Sequence, residues 1–383
     1  MNRKSITVIG GGIAGLTAAI ALRRAGHEVA VFEAAAEIKP LGAGLLLAAN
    51  AMKGLERIGV AGKVAPMGHQ LSHFSILSKS GHVLSEIDSS VLSKKYGLNN
   101  FAIHRGALHQ TLIDELPFVR IETGKRAISI DQGPQSVTIN FQDGSTHRTQ
   151  YVVVADGVHS SIRRQLLPES QVRYAGYTCW RALVENPGLA LRGATETWGS
   201  SGRIGIVPLK DNKIYWFICV NAPANAPNMQ QMTAADLLSR FARYHAPIPQ
   251  ILAATSNEQL LWNDIIDIAP IQQFAFGRVL LIGDAAHATT PNMGQGACQA
   301  IEDAAVLMDE LEKHPEHALE KIFVRFEQRR ISRTTMIVNR SWQMGRIAQL
   351  TQPWLVTVRD AAMRCIPNSL NQKQLESIYQ TDF

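Results

Sequence analysis

The start of the chain constrains it most. Ile6-Thr7-Val8-Ile9 is a short β-branched run, residues 13–24 have helix-forming composition with apolar spacing, and Gly10-Gly11-Gly12-Ile13-Ala14-Gly15 joins the two. In such a GxGxxG turn the first glycine (Gly10) permits the tight bend. The second (Gly12) lets backbone approach a pyrophosphate, and the third (Gly15) lets the helix pack on the strand. The amides of Gly12, Ile13 and Ala14 would then present the positive end of the helix dipole to the phosphates. A second strand, residues 28–32, ends at Glu33, where a carboxylate accepts hydrogen bonds from an adenosine ribose. Strand, turn, helix, strand and acid in this order read as a dinucleotide site. The pattern does not separate FAD from NAD(P), although Glu33 would repel the 2′-phosphate of NADP.

Two later segments follow the same logic. Tyr151-Val152-Val153-Val154-Ala155 reads as a buried strand, entered from a turn at Asp143-Gly144, and runs into Asp156-Gly157-Val158-His159-Ser160-Ser161-Ile162-Arg163. Residues 278–282 form another strand, leading into Gly283-Asp284-Ala285-Ala286-His287 and Pro291-Asn292-Met293-Gly294-Gln295-Gly296, with a helix beginning near Gln299. Asp284 falls at the C-terminal end of a strand, where a carboxylate can take sugar-like hydroxyls; its plainer reading is a helix N-cap. Unpaired amides around Gly294, Gln295 and Gly296 would stabilise negative charge on a ligand.

On these three motifs the sequence resembles the class A flavoprotein aromatic hydroxylases, relatives of para-hydroxybenzoate hydroxylase. The resemblance runs from residue 1 to about Arg340 and includes Gly42-Ala43-Gly44-Leu45 and Ile103-His104-Arg105. It implies an α/β fold with a Rossmann-like FAD-binding domain, discontinuous over 1–70, 97–168 and 265–340. A substrate domain would occupy 71–96 and 169–264, followed by a C-terminal helical segment over 341–383. FAD would be held by Gly10, Gly12, Ile13, Ala14, Gly15, Glu33, Gly44, Arg105, Asp156, Arg163, Asp284, Pro291, Gly294, Gln295 and Gly296. NADPH or NADH would bind transiently in a groove bordered by Asp156 and Arg163. In that family the reduced flavin takes up O2, and the resulting C4a-hydroperoxide hydroxylates a planar, electron-rich aromatic or heteroaromatic small molecule. Members also epoxidise alkenes or inactivate tetracyclines, and the residues do not choose among these. A reductase or dehydrogenase that never inserts oxygen, and a non-catalytic nucleotide-binding protein, stay open.

Between Pro168 and Trp262 the pattern turns strand-rich, with clear strands at 203–208 and 213–220 and a turn at Asp211-Asn212. Alternation places Arg203, Gly205 and Val207 on one face of the first strand and Tyr215, Phe217 and Cys219 on one face of the second. If those faces look toward the flavin, Arg203 would hold an anionic or phenolate-like substrate and Tyr215 would share a hydrogen bond with it; if not, they are sheet core. Flavin-dependent urate hydroxylases look similar here and before it, at Tyr174-Ala175-Gly176-Tyr177. They carry aspartate where this chain has Asn292.

Composition narrows the remaining classes. The 383 residues carry a net charge of +6, and residues 321–364 hold nine Lys or Arg against only Glu327 and Asp360. No basic stretch is interleaved with aromatics in a nucleic-acid module, so nucleic acid is not an expected partner. Cys179, Cys219, Cys298 and Cys365 lie far apart in sequence, which argues against a disulfide framework or a zinc site. No apolar run is long enough to span a bilayer. A cytoplasmic monomer or weak homodimer is expected. The Trp342–Pro367 tail, broken at Pro353, is read as docking on its own protein, with weak membrane attachment as the alternative.

Overall fold

The computed structural model describes residues 3–38, 43–88, 93 and 99–383; Gly42 lies outside them. A six-stranded sheet runs in the order Ala275–Phe276, Val279–Leu281, Tyr151–Val154, Ser5–Ile9, Glu28–Phe32, Arg120–Glu122. Its inner strands are parallel and largely buried, so they read as near-continuous apolar runs instead of alternating ones. Only Ala275–Phe276 is antiparallel. The helices Ile13–Arg24 and Gly296–Lys313 pack on each other as part of the same hydrophobic core. The turn at Asp143-Gly144 leads first into a strand at Thr146–Thr149, which closes a three-stranded meander before Tyr151.

The second large sheet has seven strands, ordered Leu261–Ile268, Val172–Glu185, Lys213–Asn221, Gly202–Leu209, Ala194–Gly199, His73–Ser78, Val83–Asp88. All neighbours are antiparallel except 194–199 beside 73–78. One face carries Trp180, Ala182, Ile204, Ile206, Trp216 and Ile218 into a core shared with the helices Ala234–Phe241 and Ile248–Ala253. Those helices do not show in a strand-rich reading of this segment. Thr233 starts the first with a reciprocal capping box, donating to and accepting from Asp236.

Register settles the two alternating stripes. Arg203 lies opposite Cys219, Gly205 opposite Phe217 and Val207 opposite Tyr215, so all six share one face, together with Tyr177, Cys179 and Arg181 of the neighbouring strand. A second three-stranded sheet, Gly44–Leu47, Asn100–His104 and His69–Leu71, lies against this face, since a Cβ on Gly44 would sit 2.7 Å from the Tyr215 ring. The tail is helical over Leu319–Ala348, Pro353–Arg364 and Asn368–Tyr379, with Pro353 in a first turn, where proline is tolerated. Among the described residues no helix is long and apolar enough to cross a membrane.

Candidate functional site

Four turns meet at the C-terminal ends of the parallel strands. Gly10 has φ 105°, and a Cβ there would lie 2.3 Å from the Ala155 carbonyl oxygen; one on Gly15 would lie 1.8 Å from that of Gly10. These two glycines are therefore closed against protein. Gly12 differs: a Cβ built on it meets nothing within 4 Å. No side chain caps the helix that follows, so its first amides remain open toward that space. This is the shape a pyrophosphate requires. Glu33 closes the neighbouring turn, its Oε2 accepting from Gly11 N at 2.6 Å and its Oε1 from Ala35 N at 2.8 Å.

The helix Arg105–Asp114 adds two groups. Arg105 is exposed at its start, and its charge bears on Asp284. His109, one turn later, bonds through Nε2 to the Gly11 carbonyl at 2.6 Å. His109 escaped the sequence reading because nothing local to it is unusual.

Asp284 opens a four-residue helix and makes no cap bond. Its carboxylate is solvent-accessible although protein surrounds it, so it faces into a cleft, and this burial raises its pKa while His287, Arg105 and Arg163 pull the other way. Asp156 Oδ1 is buried without a hydrogen-bond partner, and burial raises that pKa too. Two under-satisfied carboxylates, open helix amides and the unfilled space at Gly12 fit a dinucleotide bearing ribose and ribityl hydroxyls.

Arg163 corrects its expected place at a groove edge. It is 0% exposed, and its guanidinium donates to the carbonyls of Val158 at 2.7 Å and Ala285 at 3.2 Å. It ties the Asp156 turn to the Asp284 turn from inside the protein. Its burial is not visible locally because one of those carbonyls, that of Ala285, comes from a segment far away in sequence.

Gly294 sits at φ 61°, in the left-handed region, and Gly296 starts its helix three residues before the expected onset. Gln295 is buried, its Oε1 accepting from Asn50 at 2.9 Å and Gln299 at 3.0 Å, which fixes its side-chain oxygen within the protein. Pro291 is exposed beside it.

Beneath this edge runs a buried charge network. Asp303 accepts from Gly283 N at 2.8 Å, His287 Nε2 at 2.7 Å and Arg330 Nε at 2.7 Å. Arg330 also donates to Glu302 at 2.7 Å, and Arg333 extends the network to the Ile378 carbonyl at 2.5 Å. Burial alone would raise the pKa of both acids, but Arg330 and its neighbours outweigh it and hold them below the ordinary carboxylate range.

On the opposing sheet face, Arg203 is 1% exposed; it donates to Glu196 at 2.8 Å and to Asn292, and lies 5.3 Å from the Tyr177 ring centroid. Tyr177 donates to Asn292 Oδ1 at 3.0 Å, while Asn292 Nδ2 donates to Thr290 and Ser341. The expected open arginine clamp for an anion is therefore not present: Glu196 already balances the charge, and only Nε is unpartnered. Tyr215, Phe217 and Arg181 are half-buried on the same face.

Replacing Asp284 with Ala is expected to weaken FAD binding roughly ten- to hundredfold, the worth of a charge-assisted hydrogen bond. The unliganded fold should be no less stable, because an ion that burial disfavours is removed. Flavin titration with parallel unfolding curves checks both halves.

Comparison with known proteins agrees with this geometry. A family model described as FAD binding domain matches residues 3–341. The chain is 36% identical to aurachin C monooxygenase/isomerase of Stigmatella aurantiaca over 361 residues, covering 94% of each. It is 31% identical to 2-heptyl-3-hydroxy-4(1H)-quinolone synthase of Pseudomonas aeruginosa, covering 98% of this chain and 97% of that one. Among solved structures, Klebsiella pneumoniae HpxO complexed with FAD and uric acid superposes with a TM-score of 0.89 at 28% identity, covering 98% and 97% of the two chains.

Proposed function

The chain belongs to the FAD binding domain family and is an FAD-dependent monooxygenase, and from that premise we propose that it hydroxylates a neutral, planar nitrogen heterocycle of the quinolone kind, with NADH or NADPH as reductant and O2 as oxidant. The observation that carries this reading is the cancelled charge on the sheet face. Arg203 is neutralised by Glu196 and anchored to Asn292, an uncharged residue, while Tyr215 and Phe217 stay half-buried beside them. Such a surface favours stacking and neutral hydrogen bonds over an anion. The relative from Pseudomonas aeruginosa carries a quinolone in its name, 2-heptyl-3-hydroxy-4(1H)-quinolone synthase, which supports the same substrate class.

Bound in the cleft, FAD supplies the electron storage and the activation of dioxygen. The chain's own residues do the rest. Asp284 and Glu33 would hold sugar hydroxyls, and the amides of Ile13 and Ala14 the pyrophosphate. Backbone amides at Gln295 and Gly296 would face the negative edge of the reduced ring. Arg163 holds the Asp156 and Asp284 turns at a fixed separation, so the cofactor meets a preformed cradle. Tyr215 packs on Gly44 and closes one wall against water.

The test is a panel of 2-alkyl-4(1H)-quinolones against urate, reading reductant oxidation, oxygen uptake and the mass of the product. Quinolones should accelerate all three, with one oxygen atom added. Acceleration by urate alone, or oxidation of reductant without an oxygenated product, overturns the reading. Asn292→Asp should lower turnover of a neutral heterocycle roughly tenfold, about 1.4 kcal/mol, by adding a half-buried negative charge, while flavin content stays at the parent level.

A further inference from the structure

Cys179 and Cys219 lie directly opposite each other on the adjacent strands Val172–Glu185 and Lys213–Asn221. The hydrogen-bonding phase of this pair is fixed at both ends. Ala222 N donates to the Gly176 carbonyl, its opposite neighbour, and Asn186 N to that of Asn212. Bonded pairs therefore fall on even-numbered residues of the first strand, which puts 179 with 219 in the non-hydrogen-bonded class. There opposed Cα atoms approach to about 4.5 Å with their side chains on one face. That falls within the roughly 4.4–6.8 Å over which a disulfide closes without backbone movement. Both cysteines are free, at 1% and 0% exposure, in one small cluster with Tyr177 and Ile265.

We propose that Cys179 and Cys219 form an oxidisable dithiol, closed by hydrogen peroxide into a cross-strand disulfide next to Arg203. Burial by itself would disfavour a thiolate at Cys179, but the neighbouring Cys219 thiol and the charges of Arg181 and Arg203 outweigh it and pull this pKa below the ordinary thiol value. Cys219 is raised by the same burial and keeps its proton. The roles are thus divided. The Cys179 thiolate attacks one peroxide oxygen and breaks the O–O bond, giving a sulfenic acid and hydroxide. Cys219 sulfur then attacks Cys179 sulfur and breaks the S–O bond; the departing hydroxide takes up the Cys219 proton as water. The first hydroxide takes a proton from solvent, so two thiols lose two electrons and the peroxide becomes two waters. Phe217 and Arg181 on the same face are half-buried, which suits a small neutral oxidant better than a bulky disulfide reagent. Closure removes the anionic sulfur beside two arginines without unpairing the strands.

The remaining two cysteines are internal references. Cys365 is exposed, whereas Cys298 is buried with its thiol pushed up to about 12. The holoprotein is titrated with hydrogen peroxide, quenched, alkylated after denaturation and mapped by peptide mass spectrometry. The expected result is a 179–219 crosslink, two hydrogen atoms lighter than the free pair and reversed by dithiothreitol, at doses that leave Cys298 reduced. Cys219→Ser should stop the reaction at a Cys179 sulfenic acid that dimedone traps. If Cys179 and Cys219 both remain free thiols once Cys365 is fully oxidised, the proposal fails. No substrate enters the measurement, so its outcome is independent of the quinolone reading.

Discussion

Arg330→Ala is expected to lower the unfolding free energy by about 3–5 kcal/mol, the usual cost of removing one partner from a buried ion cluster. Arg330 is 1% exposed and is the group that two buried acids, Glu302 and Asp303, share. Without it both carboxylates stay buried with too little positive charge, and they escape the penalty only by taking up protons. The pH dependence carries a sign. In the parent the folded pKa values of Glu302 and Asp303 are depressed, so their contribution is complete above the unfolded carboxylate range and is lost as pH falls through the folded values. In the variant those pKa values rise, so protonating the two acids relieves part of the penalty and the deficit against the parent narrows as pH falls. Urea unfolding across pH 4 to 8 decides it, and a loss below about 1 kcal/mol at neutral pH would contradict the network's role.

The second large effect separates two glycines of one turn. Gly15→Ala should destabilise the fold itself, because its Cβ would stand 1.8 Å from a backbone oxygen and the helix must shift to accommodate it. Gly12→Ala should leave the unliganded fold near parent stability, since its φ of −77° suits alanine and the space is open. Its methyl group would instead meet the pyrophosphate. We expect it to weaken FAD binding about a hundredfold or more, some 2.7 kcal/mol or above. Flavin affinity and thermal unfolding measured on both variants give a crossed pattern; equal effects on both readouts would show that the open space at Gly12 is not where phosphate approaches.

Much of the cofactor edge was legible because its signals are local. A β-branched run beside a glycine that must take φ 105°, as at Gly10, announces itself within a few residues. Arg330 and Glu302 were not legible, because a charged side chain reads as solvent-facing until its partners arrive from elsewhere in the chain. The common face of Arg203 and Tyr215 needed strand register, which no single strand contains. Helix Ala234–Phe241 did leave a trace, the Thr233–Asp236 capping pair, but it is short and sits among strands. Phe217 over Gly205 belongs with these cases: a Cβ at Gly205 would lie 2.1 Å from the ring, a requirement visible only once the partner strand is in place.

The strand at 73–78 pairs with 194–199, and the strand at 151–154 finds its outer neighbour only at 279–281. On the ribosome each early strand therefore emerges with an open edge and waits for a partner made much later. Assembly of this architecture is slow and dominated by distant pairings, and its unfinished forms expose sticky edges. Yield during production should thus respond to chaperone supply and lowered growth temperature more than to changes on the finished surface.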